Sequence, residues 1–226
     1  MKITFYGQNS LALKIGDFNI IVDPFITGNH LSKDKVNIMD LKADYILLTH
    51  AHQDHTLDAE AIAKNTGATI ISNFEIANHY GEKGIEVHPM AQGGWWKFDF
   101  GRIKYVNAVH TSSFPDGSYG GQPGGFVIES AQANIYIAGD TALTMDMKLI
   151  PMHTKLDLAI LPIGDNFTMG VDDAIIACDF IECDKVLGVH YDTFGYIEID
   201  HDEAKRKFDK AGKDLMLLDI GETLEL

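Results

Sequence analysis

Residues 45 to 55 read Tyr-Ile-Leu-Leu-Thr-His-Ala-His-Gln-Asp-His, an apolar run of strand type that ends in three histidines and an aspartate within six positions. Tyr45 to Leu48 has the apolar, partly aromatic character of a buried strand. Polar groups at the carboxyl end of such a strand sit where α/β folds gather their ligands. His50 and His52 are two apart, so on an extended backbone their rings share a side. Asp54 and His55 are adjacent and cannot share a strand face, so they belong to a turn or a helix start. Neutral imidazole and carboxylate are the ligands that first-row divalent metals prefer, and two sets aimed in different directions suit two adjacent ions better than one. A single histidine here would read as a solvated loop; four potential ligands in six residues argue for a metal.

The rest of the chain repeats the device. Ile3-Phe5, Leu11-Leu13-Ile15 and Phe18 to Val22 alternate as an antiparallel meander with turns at Gly7-Gln8-Asn9 and Gly16-Asp17. The third strand runs into Asp23-Pro24, where the aspartate serves either a turn or a histidine partner, and the residues alone favour neither. Residues 26 to 43 read as an exposed excursion. Thr56 to Lys64 predicts a helix stopped at Asn65-Thr66-Gly67, followed by a strand at 68–71, a helix at 74–80 and a strand at 85–87. Trp95 and Trp96, flanked by Phe98 and Phe100, predict core or a packed edge.

Arg102 to Val109 is a strand that ends at His110, and Asn134 to Ala138 is a strand that ends at Gly139-Asp140. Lys185 to Val189 is a third, ending at His190. Between them, the 15 residues from Thr111 to Gly125 hold five glycines and two prolines, a long loop expected either at the mouth of the site or, for its middle, as a surface insertion. Helices are expected at 145–153, 171–181 and 202–210, and closing strands at 215–218 and 223–226. His30, His79, His88, His153 and His201 read as exposed or locally bonded groups rather than ligands. A meander followed by strands alternating with helices, in two comparable halves, predicts an α/β fold: a four-layer αββα sandwich.

Composition narrows the function. The chain has 33 acidic against 18 basic residues, a formal net charge of −15, which disfavours nucleic acid as the main partner because such binding relies on many Lys and Arg contacts. No apolar run approaches the ~20 residues of a membrane span, so no membrane partner is expected. Cys178 and Cys183 are the only cysteines and read as small buried residues of a reducing compartment, which points to the cytoplasm. At 226 residues, one domain over 1–226 is expected. The sequence is compatible with a homo-oligomer and does not specify one.

In order, the series is His50, His52, Asp54, His55, then His110, Asp140 and His190, and in this the chain resembles the metallo-β-lactamase superfamily. That signature is His-x-His-x-Asp-His, then a lone His, an Asp and a final His, each on a loop after a strand. Gly164 to Gly170 and His190-Tyr191-Asp192-Thr193-Phe194 bring it nearest the small metal-dependent hydrolases related to ascorbate-phosphate lactonases. The resemblance implies that His50, His52 and His110 hold one metal, that Asp54, His55 and His190 hold a second, and that Asp140 bridges them. Asp23 would support the ligands from behind, Asp54 would orient the nucleophile or pass a proton, and Asn166 and Thr168 would contact substrate. It further implies a dinuclear hydrolase that turns a metal-bound hydroxide on a small ester, lactone, phosphodiester or amide. The two divalent ions would be zinc foremost, with manganese or iron also accommodated. The competing class is an iron-dependent, dioxygenase-like oxidoreductase on the same fold. Its mono-iron form leaves Asp54, His55 and His190 without a reason, and its di-iron flavoprotein form carries Glu where this chain has His52.

Overall fold

The computed structural model describes residues 1–226. Fourteen strands form two seven-stranded sheets. In the first, β1 (Lys2–Phe5), β2 (Leu11–Ile15) and β3 (Phe18–Val22) form the antiparallel meander, and β4 (Tyr45–Leu47), β5 (Thr69–Asn73) and β6 (Val87–Met90) continue it in parallel. In the second, β7 (Trp95–Phe98), β8 (Gly101–Asn107), β9 (Gly124–Glu129) and β10 (Asn134–Ile137) are antiparallel, and β11 (Leu158–Pro162), β12 (Lys185–Val189) and β13 (Asp214–Met216) extend β10 in parallel. The closing strand β14 (Thr223–Glu225) returns to pair with β1. Each sheet is therefore half antiparallel and half parallel.

The layers follow from side-chain alternation. β2 alternates buried with half-buried residues, whereas every residue of β11 is buried, as expected of a parallel strand covered on both faces. Between the sheets, Ile3, Leu11, Leu13, Ile20 and Leu47 of the first meet Ile103, Phe126, Ile135, Ile160 and Leu187 of the second in one apolar core. The outer face of the first sheet packs on α2 (Ala59–Thr66) and α3 (Phe74–Gly81). That of the second packs on α4 (Val171–Ile181) and α5 (His201–Lys210). The result is the four-layer αββα sandwich. Asn73 and Asp200 cap α3 and α5 by accepting from the amides of Ile76 and Glu203, each at 2.9 Å, and such caps stabilise a helix by ~1 kcal/mol. No helix is long and apolar enough to cross a membrane. Both cysteines are free and buried.

Several expected elements differ. The helix expected over 56–64 is divided into α1 (Gln53–Thr56) and α2, because Asp58 is tied elsewhere. Its carboxylate accepts from the amides of Ile26 (2.6 Å) and Thr27 (2.9 Å), and its own amide donates to Pro24 O at 3.1 Å. The same bonds anchor the start of the 26–43 segment, where Ile26, Asn29 and Ser32 are buried rather than exposed. The helix expected over 145–153 is a short 3-10 segment, Met145–Leu149, that ends just before Pro151. Residues 85 and 86 precede β6 instead of belonging to it. Of the tryptophan pair, Trp96 is 54% exposed on the edge strand β7, and Trp95 lies under the Arg102 guanidinium, 4.3 Å from its ring centre.

Just beyond β11, the backbone at Gly164 passes so close to the last residue of the next strand loop that an added Cβ would lie 2.1 Å from His190 O and 3.0 Å from Ile197 Cβ. The φ there is ordinary, so the constraint is packing alone. Gly164→Ala is expected to cost about 1–3 kcal/mol and to lower Tm by roughly 3–10 °C, as read by thermal unfolding. A wild-type Tm would contradict this packing.

Candidate metal centre

Six strand ends meet between the sheets. Gln8 follows β1 and Asp23 follows β3; His50 and His52 follow β4, with Asp54 and His55 in the first turn of α1. From the other sheet, His110 follows β8, Asp140 follows β10 and His190 follows β12. All six strands deliver these residues just past their carboxyl ends, where ligand sites of α/β sheets form.

The seven side chains expected as ligands come together in two groups. One ligand atom from each of His50, His52 and His110 lies within 4.8 Å of the others, and the same holds for Asp54, His55, Asp140 and His190. Asp140 also reaches the first group. Its Oδ2 lies 3.1 Å from His190 Nε2, 3.4 Å from His110 Nε2 and 3.8 Å from His50 Nε2, while Oδ1 lies 3.2 Å from His55 Nε2. Asp54 Oδ2 sits 3.5 Å from His55 Nε2 and 3.6 Å from His190 Nε2.

Asp23 is fully buried and takes the role of a histidine partner rather than that of a turn residue. Its Oδ2 accepts from Asn9 Nδ2 (2.6 Å), Thr49 Oγ1 (2.6 Å) and His55 Nδ1 (2.8 Å), and Oδ1 accepts from the Thr49 amide (2.8 Å). With Nδ1 committed to Asp23, Nε2 is the His55 nitrogen that faces the site and is available to a cation. Gln8, read from the sequence only as a turn, is also fully buried and donates from Nε2 to Asp54 Oδ2 at 2.8 Å, while its carbonyl accepts from the His190 amide at 2.8 Å. The signal that could have found it is positional: Gln8 lies just after a strand, on the same end as the others.

The donor set fits a cation. His55 Nε2 and Asp140 Oδ1 are buried and make no hydrogen bond, and a buried polar atom left unpaired costs ~1–3 kcal/mol. Burial, with His55 adding to it, holds His50 well below the usual imidazole range, and burial lowers His52 and His110 as well, which favours the neutral, ligating form of all three. Burial would raise Asp54 and Asp140, but the surrounding imidazoles outweigh it and hold both carboxyls far below the usual carboxylate range. Burial likewise opposes protonation of His55 and His190, yet Asp140 and Asp54 prevail, raising His55 well above its ordinary value and pushing His190 up to about 9. A cation bound by these groups would take over the neutralisation that protons otherwise provide.

The centre opens into a cavity of about 580 Å³ lined by Phe25, Gln53, Thr111, Phe167, Phe194 and Tyr196 beside the ligand side chains. Of the loop from Thr111 to Gly125, only Thr111 borders this space, so the loop forms little of the mouth. Its ends brace the centre from behind: Ser112 Oγ accepts from the Ala51 amide (3.1 Å) and donates to Gly120 O (2.9 Å). The mouth comes instead from the segments around Phe167 and Phe194. Asn166 lies on the wall of a neighbouring hollow, and Thr168 Oγ1 donates to Met169 O at 3.2 Å, so neither borders the cavity at the centre.

Residues 2–190 match the model of the beta-lactamase superfamily domain. The chain is 82% identical to a protein of Christiangramia forsetii and 70% identical to one of Flavobacterium johnsoniae, both named UPF0173 metal-dependent hydrolase, with all of each chain covered. Among solved structures it is similar to Igni18, described as a metallo hydrolase from Ignicoccus hospitalis, at 33% identity and a TM-score of 0.89, over 100% of this chain and 98% of that one.

If Asp23 holds His55 in its ligating tautomer, Asp23→Asn should weaken metal binding by ~10–100-fold while the far-ultraviolet circular dichroism stays native, as measured by competition with a chelator. Unchanged affinity would show that His55 is oriented without Asp23.

Proposed function

The chain belongs to the β-lactamase superfamily, by a family match over residues 2–190, and is a metal-dependent hydrolase; from that membership we propose that it works with two divalent ions, zinc foremost, on a small ester, lactone, phosphodiester or amide. The single observation that carries the two-ion reading is the position of Asp140, whose carboxylate oxygens lie within 3.8 Å of four imidazoles drawn from both donor groups. In this reading His50, His52 and His110 hold one ion, Asp54, His55 and His190 hold the other, and Asp140 serves both.

Bound divalent ions would supply Lewis acidity toward the scissile group and bring a coordinated water from a pKa of ~15.7 toward ~7. Everything else falls to the chain. Asp54 is 24% exposed against 3% for Asp140; both line the cavity, and as the more open carboxylate Asp54 can take a proton from the attacking water and return it to the leaving group. Gln8 fixes the carboxylate of Asp54 through one oxygen and so keeps it aimed across the site. Asp23 and Thr49 hold His55 and the β4 end in place, and the interior position of Asp140, His50 and His55 excludes bulk water from the back of the site.

The test is a panel of ester, lactone, phosphodiester and amide substrates, run on the purified protein before and after chelation. Turnover should vanish on chelation and return with zinc or manganese. Asp54→Asn should lower kcat by ~10²–10⁴-fold and weaken retention of the ion held with His55 and His190, leaving the ion at His50, His52 and His110 in place. Asp140→Ala should deplete both ions, whereas His110→Ala should deplete one. Equal metal loss from Asp140→Ala and His110→Ala would contradict the bridging role, and oxygen consumption by an iron-loaded form, absent with zinc, would sink the hydrolase reading in favour of an oxidoreductase.

A further inference from the structure

The walls of the cavity at the centre are unlike those of a site built for charged substrates. Four aromatic rings line it, those of Phe25, Phe167, Phe194 and Tyr196, and no lysine or arginine does. The rings are grouped rather than scattered: Phe25 and Phe194 have centroids 6.3 Å apart, and Phe167 and Tyr196 meet edge to face at 6.2 Å. Phe167 is 50% exposed, Phe194 40% and Tyr196 79%. A single exposed aromatic is ordinary, but several converging on one concave mouth form an apolar patch of the kind that marks a binding surface.

Charge points the same way. Beyond Tyr196 the neighbouring hollow is lined by Asp165, Asp172, Asp173, Glu198, Asp200 and Glu203, and its one basic residue, Lys207, is already paired with Asp172 at 2.9 Å. An anionic tail leaving the centre would pass from uncharged rings into a field of carboxylates on a chain of net charge −15. It would lose water without gaining a counter-charge.

We propose that the substrate is a small ester or lactone whose portion outside the scissile group is uncharged and apolar, aliphatic or aromatic, and lies against Phe167, Tyr196, Phe25 and Phe194. This rests on the hydrolase reading for the reaction: water adds across the acyl–oxygen bond, releasing an acid and an alcohol. The aromatic wall and the acidic hollow beside it select against a second anionic group.

Two measurements on the zinc-loaded full chain test this. The first compares p-nitrophenyl pentanoate with the mono-p-nitrophenyl ester of glutaric acid, which replaces the terminal methyl by a carboxylate. The pentanoate should have the higher kcat/KM by ~10-fold or more, and Phe167→Arg should narrow the gap. The second is calorimetric titration with N-phenylpentanamide, for which Phe167→Ala and Tyr196→Ala should each weaken binding by ~10-fold with zinc content per chain unchanged. Equal or preferred turnover of the glutarate ester would overturn the proposal. So would alanine variants that alter the oligomeric state of the chain while leaving amide binding and ester KM as they were. Amide binding that depends on Phe167 and Tyr196, with no ester turned over, would support the apolar wall and count against the hydrolase reading, so the two failures are distinguishable.

Discussion

The carboxylate of Asp140 is the point on which this structure turns. It is 3% exposed and lies among four imidazoles at 3.1–3.8 Å, two of them, His50 and His55, from the first sheet and two, His110 and His190, from the second. A buried carboxylate is costly unless compensated, and removing its partners would leave an unpaired charge in a water-poor interior. The two sheets are thus joined in two ways: by apolar packing between their inner faces, and at one edge of that core by a set of donors that require positive charge.

The backbone around the centre is under strain in keeping with that requirement. Seven residues other than glycine have positive φ, among them Gln8 (54°), Asp23 (40°) and His190 (58°), which reach into or support the site, and Asp165, Asn166 and Asp192, which lie within two residues of the mouth residues Phe167 and Phe194; Glu182 is at a helix end. Such conformations cost of order 1–3 kcal/mol each and persist where the surroundings over-determine them. Here the surroundings are visible: Gln8 O accepts from the His190 amide, the Asp23 carboxylate accepts four hydrogen bonds, and the packing of Gly164 against His190 O leaves that turn no room to relax. The stability given up locally holds side chains of different strands in one place.

Much of this was legible in the sequence because it depends on period and position along strands. The apolar runs before His50, His110, Asp140 and His190 each gave a strand and an end, and α4 and β12 have the bounds their patterns predict. What stayed hidden depends on contacts between segments far apart in the chain. The division at Asp58 comes from hydrogen bonds to residues 26 and 27, more than 30 positions away. Gln8 looked like a turn residue because its partner, Asp54, is 46 positions further on. The loop from Thr111 to Gly125 has the composition of a mouth, yet its buried ends brace Ala51 from behind, and the mouth is made by Phe167, Phe194 and Tyr196, aromatic residues in loops with no periodic pattern to mark them.

If the two donor groups hold two ions, Asp140 is shared between them. The most direct measurement is anomalous X-ray diffraction from crystals of the zinc-loaded protein. Two peaks should appear ~3.5–4 Å apart, one against His50, His52 and His110 and the other against Asp54, His55 and His190, with Asp140 between them. A single peak at full occupancy with saturating zinc, or two peaks that Asp140 does not touch, would contradict it.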